Sequence, residues 1–118
     1  MKIADIMTGL QAEAASGKEF LDREIKGGYA CDMLSWAMAK LQAGQAWFTI
    51  LNSVNVIAVA SLTECACVIL TENVEMEEDV LKRAAEKEIV ILKTPLATYE
   101  ACIALSGISV KGHECEVR

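Results

Sequence analysis

The clearest pattern in the chain lies between positions 66 and 98, where two short apolar runs flank a charged amphipathic segment. The runs centred on Val68–Leu70 and Ile89–Leu92 do not alternate with polar residues, which is typical of strands buried on both faces. Between them, apolar side chains recur at helical spacing at Met76, Val80, Leu81, Ala84 and Ala85. The pattern predicts a βαβ unit, in which a helix covers two parallel strands.

The rest of the chain predicts further strands and helices in alternation. Strands are expected at 11–15, where the pattern indicates an edge strand, and at 23–27 and 46–51. Helices are expected at 3–10, 32–43, 54–62 and 98–107, with Asp32, Ser53 and Thr98 as N-caps. This order predicts one α/β domain of three layers, with a mainly parallel central sheet flanked by helices. We expect the domain to span residues 1–108 and residues 109–118 to form a C-terminal tail.

Residues spread along the chain carry a resemblance to a known family. They are Asp22–Ile25, Gly27–Tyr29, Ala58–Leu62, Ile69–Thr71, Glu75, Val80, Leu81, Ala84, Ile89, Leu92, Thr94, Pro95 and Thr98–Glu100. In these residues the chain resembles the DRTGG domain, which is similar to the N-terminal domain of HPr kinase/phosphorylase and to small HPr kinase-like proteins. The resemblance extends from about Ile3 to Ile108. It implies a regulatory role, because related domains accompany catalytic or regulatory partners.

Two departures from the family pattern bear on function. The family commonly has a Gly-Gly pair where this chain has Glu72 and Asn73, and an Asp-Arg pair where it has Asn52 and Ser53. Two glycines can form a backbone nest that binds an anion, whereas Glu72 would repel one. The chain also lacks a phosphate-binding loop that ends in Gly-Lys-Ser/Thr. We therefore expect no phosphate transfer, despite the resemblance to a kinase-associated domain.

Length and charge limit the class of protein. A chain of 118 residues suits a single domain. Its net charge of −6 argues against binding to nucleic acid, which depends on Lys and Arg, and against an anionic membrane surface. No apolar run reaches the roughly 18 residues of a membrane span, and the N-terminus does not resemble a secretion signal. We expect a cytoplasmic protein that needs no cofactor.

The five cysteines suggest a possible metal site, which we weigh against buried thiols. Cys65 and Cys67, with Cys31, His113 and Cys115, could supply zinc ligands. However, a single residue between two cysteines is not the usual zinc spacing, and Cys67 leads into a buried strand. We predict no metal site, and we expect Cys65 and Cys67 to share one face of that strand.

The best candidate site is the carboxyl edge of the sheet, where open α/β sheets bind ligands. If the predicted strands run parallel, the loops that follow them gather a set of small polar residues at that edge. The candidate ligand-binding residues are Gly27, Gly28, Asp32, Asn52, Ser53, Asn55, Thr71, Asn73, Thr94 and Thr98. Some of them could equally be ordinary helix caps.

The leading hypothesis is a non-catalytic regulatory or ligand-sensing module that forms a homodimer or docks to a partner protein. A small enzyme that uses the same loop edge is the alternative, and a cysteine-based metal or redox module is a third. Met33 and Trp36 add a second apolar face to the helix at 32–43, so we expect them at a dimer interface. Alternatively, the N-terminal segment with Ile3, Ile6 and Met7 could cover that face.

Overall fold

The computed structural model describes residues 1–113, with the backbone alone for 109–113. Within that range, helices and strands follow one another with a 3₁₀ turn at Lys18–Phe20. The elements are α1 (Ile3–Ile6), β1 (Glu13–Ser16), β2 (Gly28–Ala30), α2 (Leu34–Lys40), β3 (Ala46–Thr49), α3 (Val54–Thr63), β4 (Cys67–Leu70), α4 (Glu78–Glu86), β5 (Ile91–Lys93) and α5 (Thr98–His113). No helix in the described range is long and apolar enough to cross a membrane.

The strands of residues 1–113 form one sheet of five strands in the order β1-β5-β4-β3-β2. Strands β2 to β5 run parallel, and β1 pairs antiparallel with β5. Strands β3 and β4 are buried along their whole length, as their apolar sequences predict. The predicted mainly parallel sheet, the central βαβ unit and the N-terminal edge strand are therefore confirmed.

Helices cover both faces of the sheet and enclose two hydrophobic cores. Helices α2, α3 and α4 pack on one face, in a core that includes Trp47 and Val68. Helices α1 and α5 pack on the other face, in a core that includes Phe48 and Ile69. Because successive side chains of a strand point to opposite faces, neighbouring residues of β3 and β4 contribute to different cores. The three-layer architecture is confirmed.

The strand predicted at 23–27 is wrong, because the strand begins at Gly28. In the predicted stretch only Ile25 is buried, and Glu24 makes an isolated bridge to Lys2. The backbone there bonds to the N-terminal segment, since the Ile25 N–H donates to the Met1 carbonyl at 2.7 Å. Gly27 then turns the backbone with φ of 126° before the strand starts. Gly27 and Gly28 consequently stand at the amino end of β2.

Three helices have bounds that differ by more than one residue from those predicted, and α2 is shorter at both ends. Helix α1 ends at Ile6, and turns follow to position 11. Helix α2 begins after Met33, so Asp32 is not its N-cap. Helix α5 does not end at Gly107 but runs on to His113, because one helical glycine costs only about 1 kcal/mol. Residues 114–118 lie outside the described part, and the boundary between domain and tail stays a prediction.

The face that α3 presents to the sheet also differs from the predicted stripe. Helical spacing predicts an inward stripe of Val54, Ile57, Ala58 and Leu62, but of these four only Ile57 is buried. The buried side chains of α3 are Val56, Ile57, Val59 and Ala60. The helix is apolar nearly all round, so its periodicity does not indicate which side meets the core.

Candidate functional site

The structure brings eight of the ten predicted ligand-binding residues to the carboxyl edge of the parallel strands. They are Asp32, Asn52, Ser53, Asn55, Thr71, Asn73, Thr94 and Thr98. Gly27 and Gly28 are separated from this group, since they lie at the opposite end of β2. A role in ligand binding stays a prediction for all ten.

Side chains at the carboxyl edge hold the loops together by hydrogen bonds. The carboxylate of Asp32 accepts bonds from Thr49 Oγ1 and from the backbone N–H of Ile50, both at 2.9 Å. The hydroxyl of Thr94 donates to the carbonyl of Leu10 at 2.5 Å. Asn52 Nδ2 donates to a backbone carbonyl at 2.8 Å. These groups therefore act first as links between neighbouring loops.

The loop after β4 carries a negatively charged side chain, that of Glu72. Glu72 and Asn73 both adopt left-handed backbone conformations, with φ of 60° and 59°. The Glu72 carboxylate accepts a bond from the backbone N–H of Thr98, the first residue of α5, at 3.3 Å. The Thr98 hydroxyl is in turn 2.6 Å from that of Thr71. A side-chain carboxylate thus interacts with the amino end of α5, where charge of this sign is favourable.

A cavity of about 600 Å³ lies on the other side of the molecule, beside the edge strand β2. It is open to solvent between β2, helix α5 and the segment that precedes β2. Its lining residues are Met1, Ile25, Lys26, Gly27, Gly28, Tyr29, Ala30, Phe48, Cys102, Leu105 and Ser106. Gly27 and Gly28 therefore line this cavity and not the predicted edge of the sheet.

The cavity has an apolar floor and a few polar groups. An added Cβ at Gly28 would lie 3.0 Å from Phe48 Cε1 and 3.2 Å from Leu105 Cδ2, so the glycine gives the cavity depth. Partial burial raises the pKa of the Cys102 thiol, which keeps it protonated at neutral pH. Lys26 is the charged side chain of the lining, and within residues 1–113 its ammonium has no carboxylate within 4.0 Å.

Cys65 and Cys67 are buried thiols on different faces of the sheet. Cys65 packs in the core under α2, α3 and α4, and Cys67 packs in the opposite core. The prediction that they share a face is wrong, because Cys65 precedes β4 and does not follow its alternation. Burial raises the pKa of Cys65 to about 11 and that of Cys67 further. Among the described residues, no three His, Cys, Asp or Glu side chains are placed to hold a metal ion.

The outer face of α2 leaves large apolar side chains exposed. Met33 is 58% exposed and Trp36 is 55% exposed, with the Lys40 ammonium 5.5 Å from the Trp36 ring centroid. The suggestion that the N-terminal segment covers this face is wrong, because Ile3 and Ile6 pack in the core on the opposite side of the sheet. The exposed face is available for association, as the predicted interface requires.

Comparison with known proteins agrees with this fold. No curated protein matches the chain. The CBS and DRTGG domains of the regulatory region of Clostridium perfringens pyrophosphatase, crystallised with the activator diadenosine tetraphosphate, share the fold with a TM-score of 0.75 and 16% identity. That similarity covers 91% of this chain and 46% of the pyrophosphatase chain, so this chain spans about half the length of that structure. The family model described as the DRTGG domain matches residues 5–108. The chain therefore belongs to the DRTGG domain family.

Proposed function

We propose that this chain is a non-catalytic regulatory module that binds a small-molecule effector in the cavity beside β2. Its family is one support for this proposal. The second is the regulatory region of the Clostridium perfringens pyrophosphatase, which was crystallised with a nucleotide activator. We further propose that binding of the effector is transmitted through association with a second copy or with a partner protein in the cytoplasm.

The cavity is the observation that carries the proposal. Its volume of about 600 Å³ lies within the range of small-molecule sites. Phe48 and Leu105 offer an apolar floor, while Lys26 and Ser106 provide polar groups at the rim. Such a combination binds the apolar part of a ligand and orients its polar part. The carboxyl edge offers less, because its hydroxyl and carboxylate groups already form hydrogen bonds with one another or with the backbone.

Association is the second part of the proposed function. Met33 and Trp36 give α2 an exposed apolar face, which in a monomer would lie against water. Such faces are typical of surfaces that meet another chain. We place the dimer contact there, on the opposite side of the sheet from the cavity floor.

Cys102 allows the effector site to be tested directly, because its thiol lines the cavity. We expect an effector to slow alkylation of Cys102 by iodoacetamide, measured for each cysteine by mass spectrometry. The compounds tested would include diadenosine tetraphosphate and a library of common metabolites. Cys31 is the matched control, since it is also half-buried but lies outside the cavity. Its alkylation rate should not change.

The same compound should raise the midpoint of thermal unfolding by mass action. Gly28→Val would fill the space between Phe48 and Leu105. The variant should therefore lose both the protection of Cys102 from alkylation and the rise in the midpoint of thermal unfolding. If no compound protects Cys102 more than Cys31, the proposed effector site is wrong.

A further inference from the structure

The outer edge of β2 carries backbone groups that the sheet does not use. Strand β2 is the last strand in the sheet order, and its register pairs Gly28 with Ala46 and Ala30 with Phe48. The bonds on the inner side include Ala46 N–H to Gly27 C=O at 2.8 Å and Cys31 N–H to Phe48 C=O at 3.2 Å. Because alternate residues of a strand direct their backbone groups to opposite sides, those of Gly28 and Ala30 face away from β3.

Among the described residues, the outward groups of Gly28 and Ala30 make no backbone hydrogen bond, and these groups border the cavity. All residues from Lys26 to Ala30 line it, so the cavity runs along the edge strand. Gly28 and Ala30 are two residues apart, so their backbone groups lie on the same outer edge of β2. The C=O of Gly28 is therefore an acceptor next to the N–H donor of Ala30. A planar ring that carries an amino group beside a ring nitrogen presents the complementary donor and acceptor.

The rest of the lining suits such a ring. Gly28 has no side chain to keep a ring away from the backbone. Phe48 and Leu105 lie directly behind Gly28, where they supply apolar contact area. Stacking of a planar ring on aromatic and aliphatic groups does not depend on which ring is bound, so the backbone pair supplies the specificity.

Lys26 adds a charge preference at one end of the cavity. Its side chain is exposed, and among the described residues its ammonium has no carboxylate within 4.0 Å. An unpaired ammonium beside an apolar cleft favours an anionic substituent on the bound molecule. The chain has a net charge of −6, and Lys26 brings a local positive charge to the cavity. Met1 also lines the cavity, but its N-terminal ammonium is paired with the Glu24 carboxylate at 3.1 Å.

We propose that the cavity binds an amino-substituted nitrogen heterocycle that carries an anionic group, the class to which the adenine nucleotides belong. In this arrangement the Gly28 C=O accepts from the amino group, the Ala30 N–H donates to the ring nitrogen, and Lys26 contacts the anion. The inference rests on the proposed function, because it names the ligand class of the same site.

The test compares three probes on the full chain by isothermal titration and by NMR of the Ala30 amide. The probes are adenosine monophosphate, purine riboside monophosphate, which lacks the amino group, and adenosine, which lacks the anion. We expect adenosine monophosphate to shift the Ala30 amide resonance and slow its hydrogen exchange. It should bind about tenfold more tightly than either of the other probes, because each lacks one polar contact.

Variants separate the charge from the backbone pair. Lys26→Gln should reduce the affinity for adenosine monophosphate to that for adenosine and leave adenosine binding unchanged. Lys40→Gln is the matched control, because Lys40 is also an exposed lysine but lies on α2, against Trp36. It should leave all three affinities unchanged.

The outcomes distinguish this inference from the proposed function. Equal affinities for the two nucleotides would overturn the backbone pairing. Protection of Cys102 by other metabolites, with no binding of purine nucleotides, would overturn the ligand class and leave the effector site intact. If nothing protects Cys102, both proposals fail. Slow exchange at Ala30 that grows with protein concentration, without ligand, would show a second copy on this edge and also overturn the inference.

Discussion

Single residues decide what the loops after the strands can bind. Glu72 and Asn73 adopt the left-handed backbone that a glycine pair adopts at little cost, so the loop keeps its path without glycine. The change in residue type nevertheless alters the chemistry, because the Glu72 carboxylate now bonds to the amino end of α5. An external anion would have to displace it. This residue-level difference makes the carboxyl edge less suited to an anionic ligand than the cavity beside β2.

Residue-level chemistry also predicts how stability depends on pH. Burial raises the pKa of Cys65 from 9.0 to about 11 and raises that of Cys67 as well. Above pH 9 the unfolded chain therefore releases thiol protons that the folded chain retains. The free energy of unfolding should then fall as pH rises from 9 to 11. The slope is at most roughly 1.4 kcal/mol per pH unit for each thiol.

Urea unfolding at pH 8, 9, 10 and 11 would measure this dependence. The double variant Cys65→Ala, Cys67→Ala should be less stable at pH 8, because it leaves voids in both cores, but its free energy should fall less steeply above pH 9. Cys31→Ala is the control and should keep the wild-type slope. Equal slopes in all three proteins would contradict the assigned burial of the two thiols.

Elements differ in how well they could be predicted from sequence. The βαβ unit from 66 to 98 was predictable, because its strands are continuous apolar runs and its helix has one apolar stripe. Strand β2 was not, because Gly28, Tyr29 and Ala30 include no β-branched residue and sit at an edge, where burial does not impose a pattern. The inward face of α3 could not be predicted either, since the helix is apolar on nearly every side.

The cavity could be predicted only in part. Its walls come from three segments that are distant in sequence, around Gly28, Phe48 and Leu105, and no periodicity indicates a concave surface between them. The sequence predicts Gly27 and Gly28 at the carboxyl edge of the sheet, whereas they lie at the amino end of β2. Locating them required the register of β2 against β3.

Glycines in two elements should respond to substitution in opposite directions. Gly107 lies within α5, where an added Cβ would meet nothing within 4 Å among the described residues. Gly107→Ala should therefore raise the free energy of unfolding by about 0.5–1 kcal/mol. Gly17 has φ of 77°, and an added Cβ would lie 2.8 Å from Val90 Cα. Gly17→Ala should lower the free energy of unfolding by more than about 1 kcal/mol.

Chemical denaturation of the two variants and the wild type would measure both changes. The pair controls for composition, since both replace glycine by alanine. A destabilised Gly107→Ala would contradict the continuous helix through that position. A neutral Gly17→Ala would contradict the close packing of Gly17 against Val90, the residue before β5.

At the scale of the whole molecule, the helices on one face of the sheet leave large apolar side chains exposed. The outer face of α2 exposes Met33 and Trp36, and nothing in residues 1–113 covers them. Burial of two such side chains between copies would contribute several kcal/mol, at roughly 25 cal/mol per Å² of apolar area, before the cost of association is subtracted. A symmetric dimer is the commonest assembly that would bury them.

Sedimentation equilibrium should therefore give twice the chain mass of 12.8 kDa at micromolar concentration. Trp36→Glu should shift the protein toward monomer, because it removes the apolar area of the ring and association would have to desolvate a carboxylate. Tyr99→Glu is the matched control: Tyr99 is 77% exposed, but it lies on α5, across the sheet from α2. It should leave the dimer intact. A wild-type chain that stays monomeric at high concentration would contradict the contact.

The antiparallel pairing of β1 with β5 has a consequence for how the chain assembles. Glu13 pairs with Lys93, and the Ser16 hydroxyl donates to the carbonyl of Ile89, so the contacts of β1 join positions more than 70 residues apart. Closing so long a loop is entropically costly until β5 has its place in the sheet. The ribosome synthesises β1 before any other strand, yet β1 cannot pair until β5, the last strand, has been made. The order of synthesis is thus the reverse of the order in which this edge can form.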